Sequence, residues 1–128
     1  QGMAHPFSRR TYPWGREDAE IQGRFTAIAS ARKDSRAIRR GKCVFAAKDK
    51  DVFITARYDG NETALSIVNR SGEVKWVAVS AADFTQGPDT DGLKMPNSMT
   101  DALTNRRFES EKRTINIELG PYCGALLK

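Results

Sequence analysis

The residue types that carry most enzyme chemistry are sparse in this sequence. His5 is the single histidine among 128 residues, and it lies in an N-terminal stretch without a regular hydrophobic pattern. A Ser-His-Asp triad needs a well-positioned histidine, and a histidine-based metal site needs several. The Asp and Glu residues are spread over turns and edges, where solvation is their usual role. We therefore expect no catalytic residue, no metal site and no cofactor within this chain.

Two cysteines, Cys43 and Cys123, are separated by most of the chain. Their spacing fits no zinc motif, and no histidine lies near either to activate a thiolate. If the first and last strands of the fold lie side by side, the two residues could form a disulfide. The alternative is a pair of buried thiols, and both remain open because the sequence does not define the redox compartment.

One acidic segment has the start of a calcium-binding pattern. Asp89 and Asp91 are followed by Gly92, but Leu93 and Lys94 occupy positions where further oxygen ligands would be needed. We therefore predict an ordinary turn in this loop.

The net charge of +5 is concentrated in the first part of the chain. Residues 1–50 contain twelve Lys or Arg and five Asp or Glu. Such a basic segment belongs either to a nucleic-acid-binding surface or to a solvated helix face. The basic residues are not interleaved with aromatic residues that could stack on bases, so we favour the solvated face and expect no nucleic-acid partner.

The sequence contains no membrane-spanning segment. No run approaches the roughly 20 apolar residues that a membrane helix needs, and the N-terminus has no apolar run typical of a signal peptide. For a fragment of a longer chain the cellular location cannot be derived from these residues. Gln1-Gly2-Met3 fits a native sequence as well as the remnant of a cleaved tag.

Residues 16–40 have a helical pattern. Ile21, Phe25 and Ile28 fall at positions i, i+4 and i+7 and form one apolar stripe. Acidic residues in the first turn and Gly41 after the last basic residues are typical helix ends. We predict one helix here, with a strand as the alternative because residues 24–31 also alternate loosely.

After Gly41 the hydrophobic period changes to two. Short apolar runs separated by turn residues predict an antiparallel meander. The runs are "CVFAA", "DVFITARY", "TALSIVN", "EVKWVAV" and, later, "TINIEL". Because the first four follow one another with short turns, the fold class is predicted as mainly β, an antiparallel β-sandwich preceded by one N-terminal helix.

The alternation also assigns faces. Leu65 and Ile67 share one face of the third run, and Val68 lies on the other. The fourth run is apolar on both faces, as in a sheet covered by a partner sheet on one side and a neighbouring domain on the other. Trp76, in the middle of this run, is predicted to be core. "TDALTN" (100–105) fits either a short helix or a strand.

Four segments stand in a characteristic order along the chain. They are "HPFSRRTYPW" (5–14), "IASARKDSRAIRRG" (28–41), "DALTN" (101–105) and "LGPYCGALL" (119–127). In this order and spacing they resemble the C-terminal end of α-amylase family glycoside hydrolases, especially the neopullulanase and cyclomaltodextrinase branch. The corresponding family patterns are D-P-x-N-R-x-x-Y-P-W, L-x-x-L-R-x-x-x-P-A-L-R-x-G, D-L-L-T-G and L-P-P-Y-G-A-x-V-L.

The resemblance implies a division of the chain. Residues 1–41 would be the end of a (β/α)8 barrel, including its last helix, and residues 42–128 would form the Greek-key β-sandwich called domain C. Within that sandwich, "TDALTN" would be a strand.

The resemblance also implies a function. Family members hydrolyse α-glucosidic bonds with retention, using an Asp nucleophile, a Glu acid/base and a second Asp on barrel strands. These strands precede the matched region, so no carboxylate of this chain inherits a catalytic role. We expect an accessory domain that is silent by itself, covers the flank of the barrel of the same polypeptide and meets α-glucan through the parent enzyme.

The first segment contains one candidate substrate contact. In the family, the Asp and Arg of this motif lie near the substrate cleft, which makes Arg9 a candidate. His5 stands in place of the Asp and Ser8 in place of the Asn, so the alternative for Arg9 is a solvated loop. Two further departures are Arg36 in place of the helix-ending Pro and Cys123 beside the terminal corner.

Three other expectations follow from exposed side chains. If the stripe on the helix normally packs on a barrel, the excised chain is expected to self-associate through it. A free-standing carbohydrate-binding module is an alternative function, with aromatic residues as stacking platforms; a basic nucleic-acid-binding domain is another. The candidate platforms are Tyr12, Trp14, Tyr58, Trp76 and Tyr122.

Overall fold

The computed structural model describes residues 12, 14–84, 90 and 92–128. Two helices come first: α1 (Ala19–Asp34) and α2 (Arg36–Arg40). Four strands follow: β1 (Lys42–Ala47), β2 (Val52–Asp59), β3 (Glu62–Asn69) and β4 (Lys75–Ser80). A short 3-10 helix, Ala81–Phe84, ends this half of the chain. The second half contains β5 (Ser98–Thr100), β6 (Arg107–Glu111), β7 (Thr114–Leu119) and β8 (Gly124–Leu127).

The strands form two antiparallel sheets of four strands each. The first sheet has the order β1-β2-β3-β8, and the second has the order β4-β7-β6-β5. The chain leaves the first sheet after β3, builds the second sheet with β7 returning to pair with β4, and comes back to place β8 beside β3. This Greek-key arrangement confirms the predicted fold class, a mainly β sandwich preceded by helical structure.

The core lies between the two sheets. In β2, Val52, Ile54, Ala56 and Tyr58 point inward and are buried, while the residues between them are at least partly exposed. Leu65 and Ile67 of β3 are buried and Val68 is exposed, as the alternation predicts. The second sheet contributes mainly aliphatic side chains from β4 and β7: Val77, Val79, Ile115, Ile117 and Leu119.

The predicted N-terminal helix is confirmed as the main helix α1, and the chain continues after a break at Ser35 into the short helix α2. Ser35 has an extended backbone (φ −104°, ψ 123°), and its N–H still donates to the carbonyl of Ala31. Its hydroxyl oxygen accepts from the N–H of Ile38 and so caps the start of α2. One serine thus ends one helix and begins the next, which a hydrophobic pattern running through both helices does not reveal.

The prediction of a strand over residues 100–105 is largely wrong. β5 ends at Thr100, Asp101 forms an isolated bridge to Leu127, and residues 102–104 are a turn. The carboxylate of Asp101 organises this turn by accepting from the N–H of Leu103 (3.2 Å) and the hydroxyl of Thr104 (2.6 Å). An Asx turn of this kind competes with continued strand pairing.

Candidate interdomain docking face

Helix α1 leaves its apolar stripe in solvent. Phe25 is 73% exposed, Ile21 67% and Ile28 46%. Within α1, all of which is described, Ala31 is the one buried residue. An isolated helix of this length is marginal in water, because most helix stability in proteins comes from packing an apolar face. The apolar stripe of α1 therefore lacks a packing partner within the described part of this structure.

Helix α2, in contrast, is held tightly against the first sheet. Ala37 is fully buried. The guanidinium of Arg57 donates to the carbonyls of Ala37 (3.3 Å) and Gly41 (3.1 Å). Arg36 adds an ion pair to Asp59 at 3.0 Å across the same boundary. These contacts fix α2 on β2 and thereby set where α1 projects.

The outer face of the first sheet has a second apolar feature. Phe45 on β1 and Phe53 on β2 stack with ring centroids 5.8 Å apart and planes inclined by 29°. Phe53 lies directly opposite Val68 on β3. All three side chains are exposed, because alternate residues of these strands point away from the core.

We call the surface formed by Phe45, Phe53 and Val68 the phenyl strip, and it lies on the same side of the sandwich as the stripe of α1. A hollow of about 240 Å³ between α1 and the sheet is lined by Ile28 together with outward-facing residues such as Thr55 and Leu126. We call the combined surface the docking face, and it consists of Ile21, Phe25, Ile28, Phe45, Phe53 and Val68. Clustered exposed apolar side chains of this kind mark interaction sites.

The charges near the docking face are largely paired locally. Arg24 of α1 forms an ion pair with Glu20 at 2.7 Å, one helical turn away. Arg32 donates to the carbonyl of Ile38 at 3.0 Å. With Arg36 and Arg57 bound as described above, several basic residues of the N-terminal region already have partners, as on a solvated helix face.

The carboxylates with shifted pKa values serve local structure. Burial alone would raise the pKa of Asp83. The positive charge of Lys48, together with hydrogen bonds from Lys48 and Ser80, outweighs burial and lowers this pKa below its ordinary value of 3.8. Hydrogen bonding from the N–H of Asp51 likewise lowers the pKa of Asp49. In the part of the chain that the structure describes, no group of three or more His, Cys, Asp or Glu side chains could hold a metal ion.

The two cysteines are not brought together. Cys43 lies on β1, at one edge of the first sheet, and Cys123 precedes β8, at the opposite edge, with β2 and β3 between them. Both are free and exposed. The adjacent end strands on which a disulfide would depend are therefore absent from this sheet order, and neither thiol is buried.

Several residues singled out in the sequence lie outside the described part of the chain. These are His5, Ser8, Arg9, Asp89 and Asp91. Among the described residues, no helix is both long enough and apolar enough to cross a membrane.

The prediction that Trp76 is core is wrong. Trp76 is 77% exposed because β4 turns Val77 and Val79 inward and Trp76 outward. Tyr58 is the one buried member of the five aromatic residues considered as platforms. The phenyl strip was missed by the sequence reasoning, although the position of Phe53 between inward-facing Val52 and Ile54 could have revealed it.

Comparison with known proteins places this surface in context. No protein-family model matches the chain. An amylopullulanase from Thermoanaerobacter thermohydrosulfuricus is 28% identical over 137 positions that cover 98% of this chain. A cyclomaltodextrinase from Geobacillus thermopakistaniensis is 33% identical over 125 residues, 94% of this chain. The chain spans 9% and 19% of the lengths of these two enzymes.

Solved structures share the fold. An α-amylase from Anoxybacillus aligns with 96% of this chain and 25% of its own, with a TM-score of 0.76 and 17% identity. An α-amylase from Geobacillus thermoleovorans, solved with acarbose, aligns with 88% of this chain and 23% of its own, with a TM-score of 0.69 and 17% identity. The resemblance predicted from the sequence is confirmed, and these findings are consistent with a C-terminal domain of an α-amylase family enzyme.

Proposed function

We propose that this chain is the C-terminal accessory domain of an α-glucan-acting glycoside hydrolase and that it stabilises the catalytic barrel of the same polypeptide. The observation that carries the proposal is helix α1, which presents Ile21, Phe25 and Ile28 to solvent and buries Ala31 alone. The proposal is supported by the amylopullulanase and cyclomaltodextrinase relatives, because this chain corresponds to only a small part of each.

The division of labour follows from the packing. Residues 1–41 would complete the barrel through α1, and residues 42–128 would stand beside it as the sandwich. Helix α2, locked to β2 by Arg57 and Arg36, is the rigid joint between them. Covering the docking face would stabilise the assembly by roughly 1.5 to 3 kcal/mol for each large apolar side chain that becomes fully buried.

The proposal assigns the chemistry to residues outside this chain. Retaining glycoside hydrolysis needs two carboxyl groups about 5 Å apart on a rigid frame, with one pKa raised so that it can act as an acid. In the described part of the chain, the carboxylates with resolved pKa shifts are Asp49 and Asp83, and both shifts are downward. These groups act as hydrogen-bond acceptors in turns, which supports a catalytically silent domain.

Arg9 remains a proposed contact with the substrate. It would act in the parent enzyme, where the barrel would position it beside the cleft. The contribution of Arg9 to substrate binding should be measured in the parent enzyme, because a guanidinium must be held in place to bind a sugar selectively.

The proposal is tested by the reading frame upstream of Gln1 in the transcript that encodes this chain. We expect a barrel-length stretch of alternating strands and helices, with three acidic residues at strand ends, and hydrolysis of starch or cyclodextrins by the full-length product. A start codon at Met3 would overturn the proposal and leave a free-standing β-sandwich.

A further inference from the structure

The outer face of the second sheet carries an exposed tryptophan among unpaired polar groups. Trp76 is the second residue of β4; Val74 precedes it and Ala78 follows it, and both are exposed as Trp76 is. Directly across on β7 lies Glu118, and Asn116 lies opposite Ala78. Neither the Glu118 carboxylate nor the Asn116 amide has a hydrogen bond or ion pair within the described residues.

A second aromatic ring stands beside the turn that leads into β4. Tyr122 adopts a left-handed backbone (φ 51°), and its N–H donates to the carbonyl of Ser71 at 3.0 Å. The ring packs on Gly72, since a Cβ added there would lie 3.3 Å from the tyrosine oxygen. Tyr122 is nevertheless 77% exposed. The backbone hydrogen bond and the contact with Gly72 hold Tyr122 beside this turn, which lowers the conformational entropy that stacking on the ring would cost.

The segment that leads into β4 connects the positions of the two exposed rings. Gly72, on which Tyr122 packs, and Trp76 are four residues apart, so their Cα atoms are at most about 14 Å from each other. Val74, which lies between Gly72 and Trp76 in the sequence, is also exposed. We call the surface formed by Trp76, Val74, Tyr122, Glu118 and Asn116 the aromatic ridge.

The polar members of the ridge select the kind of ligand. A protein surface packed over Trp76 would desolvate the Glu118 carboxylate, which is costly unless a donor is supplied. A sugar ring presents an apolar C–H face to an aromatic ring and hydroxyl groups around its edge. Those hydroxyls can donate to Glu118 and accept from the amide of Asn116. The ridge therefore complements a carbohydrate better than an apolar partner.

The ridge and the phenyl strip lie on different sheets. Helix α2 packs on the first sheet, whereas Trp76 and Glu118 are exposed on the second sheet, where Glu118 borders a hollow shared with Arg24 of α1. We propose that the aromatic ridge is a non-catalytic binding site for α-glucan chains, with Trp76 as the main stacking platform and Tyr122 as the second. The choice of an α-linked ligand rests on the proposed function; the site itself rests on the ridge.

The experiment is a titration of the 128-residue chain with maltoheptaose, followed by tryptophan fluorescence and calorimetry, with cellohexaose as the β-linked comparison. We expect weak binding, with a dissociation constant on the order of 1 mM, typical of a shallow site. Trp76→Ala should weaken binding at least tenfold, and Glu118→Gln about twofold to fivefold. Trp76 is exposed, so its removal should leave the thermal unfolding curve unchanged.

Trp14 provides the matched control. It is 81% exposed, pairs with Tyr12 at 4.6 Å and is not among the residues that form the ridge. Trp14→Ala should leave the affinity for maltoheptaose unchanged. Absence of binding, or equal binding by wild type and Trp76→Ala, would overturn the proposal, as would loss of binding in Trp14→Ala.

The outcome is separable from that of the proposed function. If the chain binds maltoheptaose through Trp76 but no hydrolase is encoded upstream, the binding-site proposal is supported and the accessory-domain proposal is refuted. If a hydrolase is encoded upstream but the chain does not bind, the accessory-domain proposal is supported and the binding-site proposal is refuted. Equal affinity for cellohexaose would contradict the α-linked ligand.

Discussion

The Oδ1 atom of Asp101 accepts a hydrogen bond from the N–H of Leu126 at 3.0 Å, which ties the end of β5 in the second sheet to β8 in the first. Asp101 is 4% exposed, and its other bonds hold the turn formed by residues 102–104. This carboxylate therefore joins the two layers of the sandwich at the end where the chain closes.

Removal of that carboxylate should be costly. Asp101→Ala leaves the N–H of Leu126 and the hydroxyl of Thr104 without their acceptors, so we expect a loss of about 2 to 4 kcal/mol in the free energy of unfolding. Asp101→Asn retains one acceptor oxygen and should lose less. Urea unfolding of both variants provides the test, and a loss below about 0.5 kcal/mol for the alanine variant would refute this role.

Two glycines should respond in opposite directions to alanine. A Cβ at Gly41 would lie 2.5 Å from the carbonyl oxygen of Ala37 and 2.7 Å from that of Tyr58, and both contacts are backbone. Gly41→Ala should therefore destabilise by about 1 to 3 kcal/mol. A Cβ at Gly23 meets nothing within 4 Å, so Gly23→Ala should stabilise α1 by about 0.5 to 1 kcal/mol.

Thermal unfolding followed by circular dichroism measures both changes. The same direction of change in the two variants would show that the close approach of Gly41 to β2 is not as described.

Asp83 predicts a pH-dependent stability. Lys48 and Ser80 hold the folded-state pKa of Asp83 below its ordinary value of 3.8, so the charged form stabilises the fold at neutral pH. This contribution is present above pH 3.8 and is lost as the pH falls through the lower folded-state pKa. Asp83→Asn should cost about 1 kcal/mol at pH 7, and the difference from wild type should shrink toward about pH 2.

A suitable control is Asp34→Asn. The Asp34 carboxylate is 63% exposed and lies 3.8 Å from Lys128, so its removal should change stability by less than about 0.5 kcal/mol. A constant difference between Asp83→Asn and wild type across this pH range would rule out the linkage.

The exposed stripe predicts self-association of the isolated chain. At high concentration we expect light scattering to give an average mass above the 14.2 kDa of the monomer. Phe25→Asp should restore the monomer because it places a charge in the apolar contact. Thr26→Asp, on a different side of the same helix, should not. A wild-type chain that stays monomeric at high concentration would contradict this prediction.

The sequence predicted those features that depend on alternation. The faces of Leu65, Ile67 and Val68 are correct because a half-buried strand repeats every two residues. The break at Ser35 and the turn at Asp101 depend on single side chains that cap backbone groups, and hydrophobic periodicity carries no record of them.

A different reason explains why the sequence did not predict that Trp76 is exposed. The fourth run is apolar on both faces, so its pattern does not say which face meets the partner sheet. Strands β5 and β6 were not predicted because their sequences, "SMT" and "RFESE", are short and mostly polar. The stripe of α1 was expected from the sequence, whereas the phenyl strip of the docking face was recognised only from the packing of the first sheet.

The most direct test of the central claim compares Phe25→Asp in two contexts. In the longer polypeptide we expect this change to lower the free energy of unfolding by about 2 to 4 kcal/mol, because Phe25 would be buried against the barrel. In the 128-residue chain at low concentration, where Phe25 is 73% exposed, the loss should stay below about 0.5 kcal/mol. Thr26→Asp should have a small effect in both contexts. Equal, small losses for Phe25→Asp in the two proteins would contradict docking through α1.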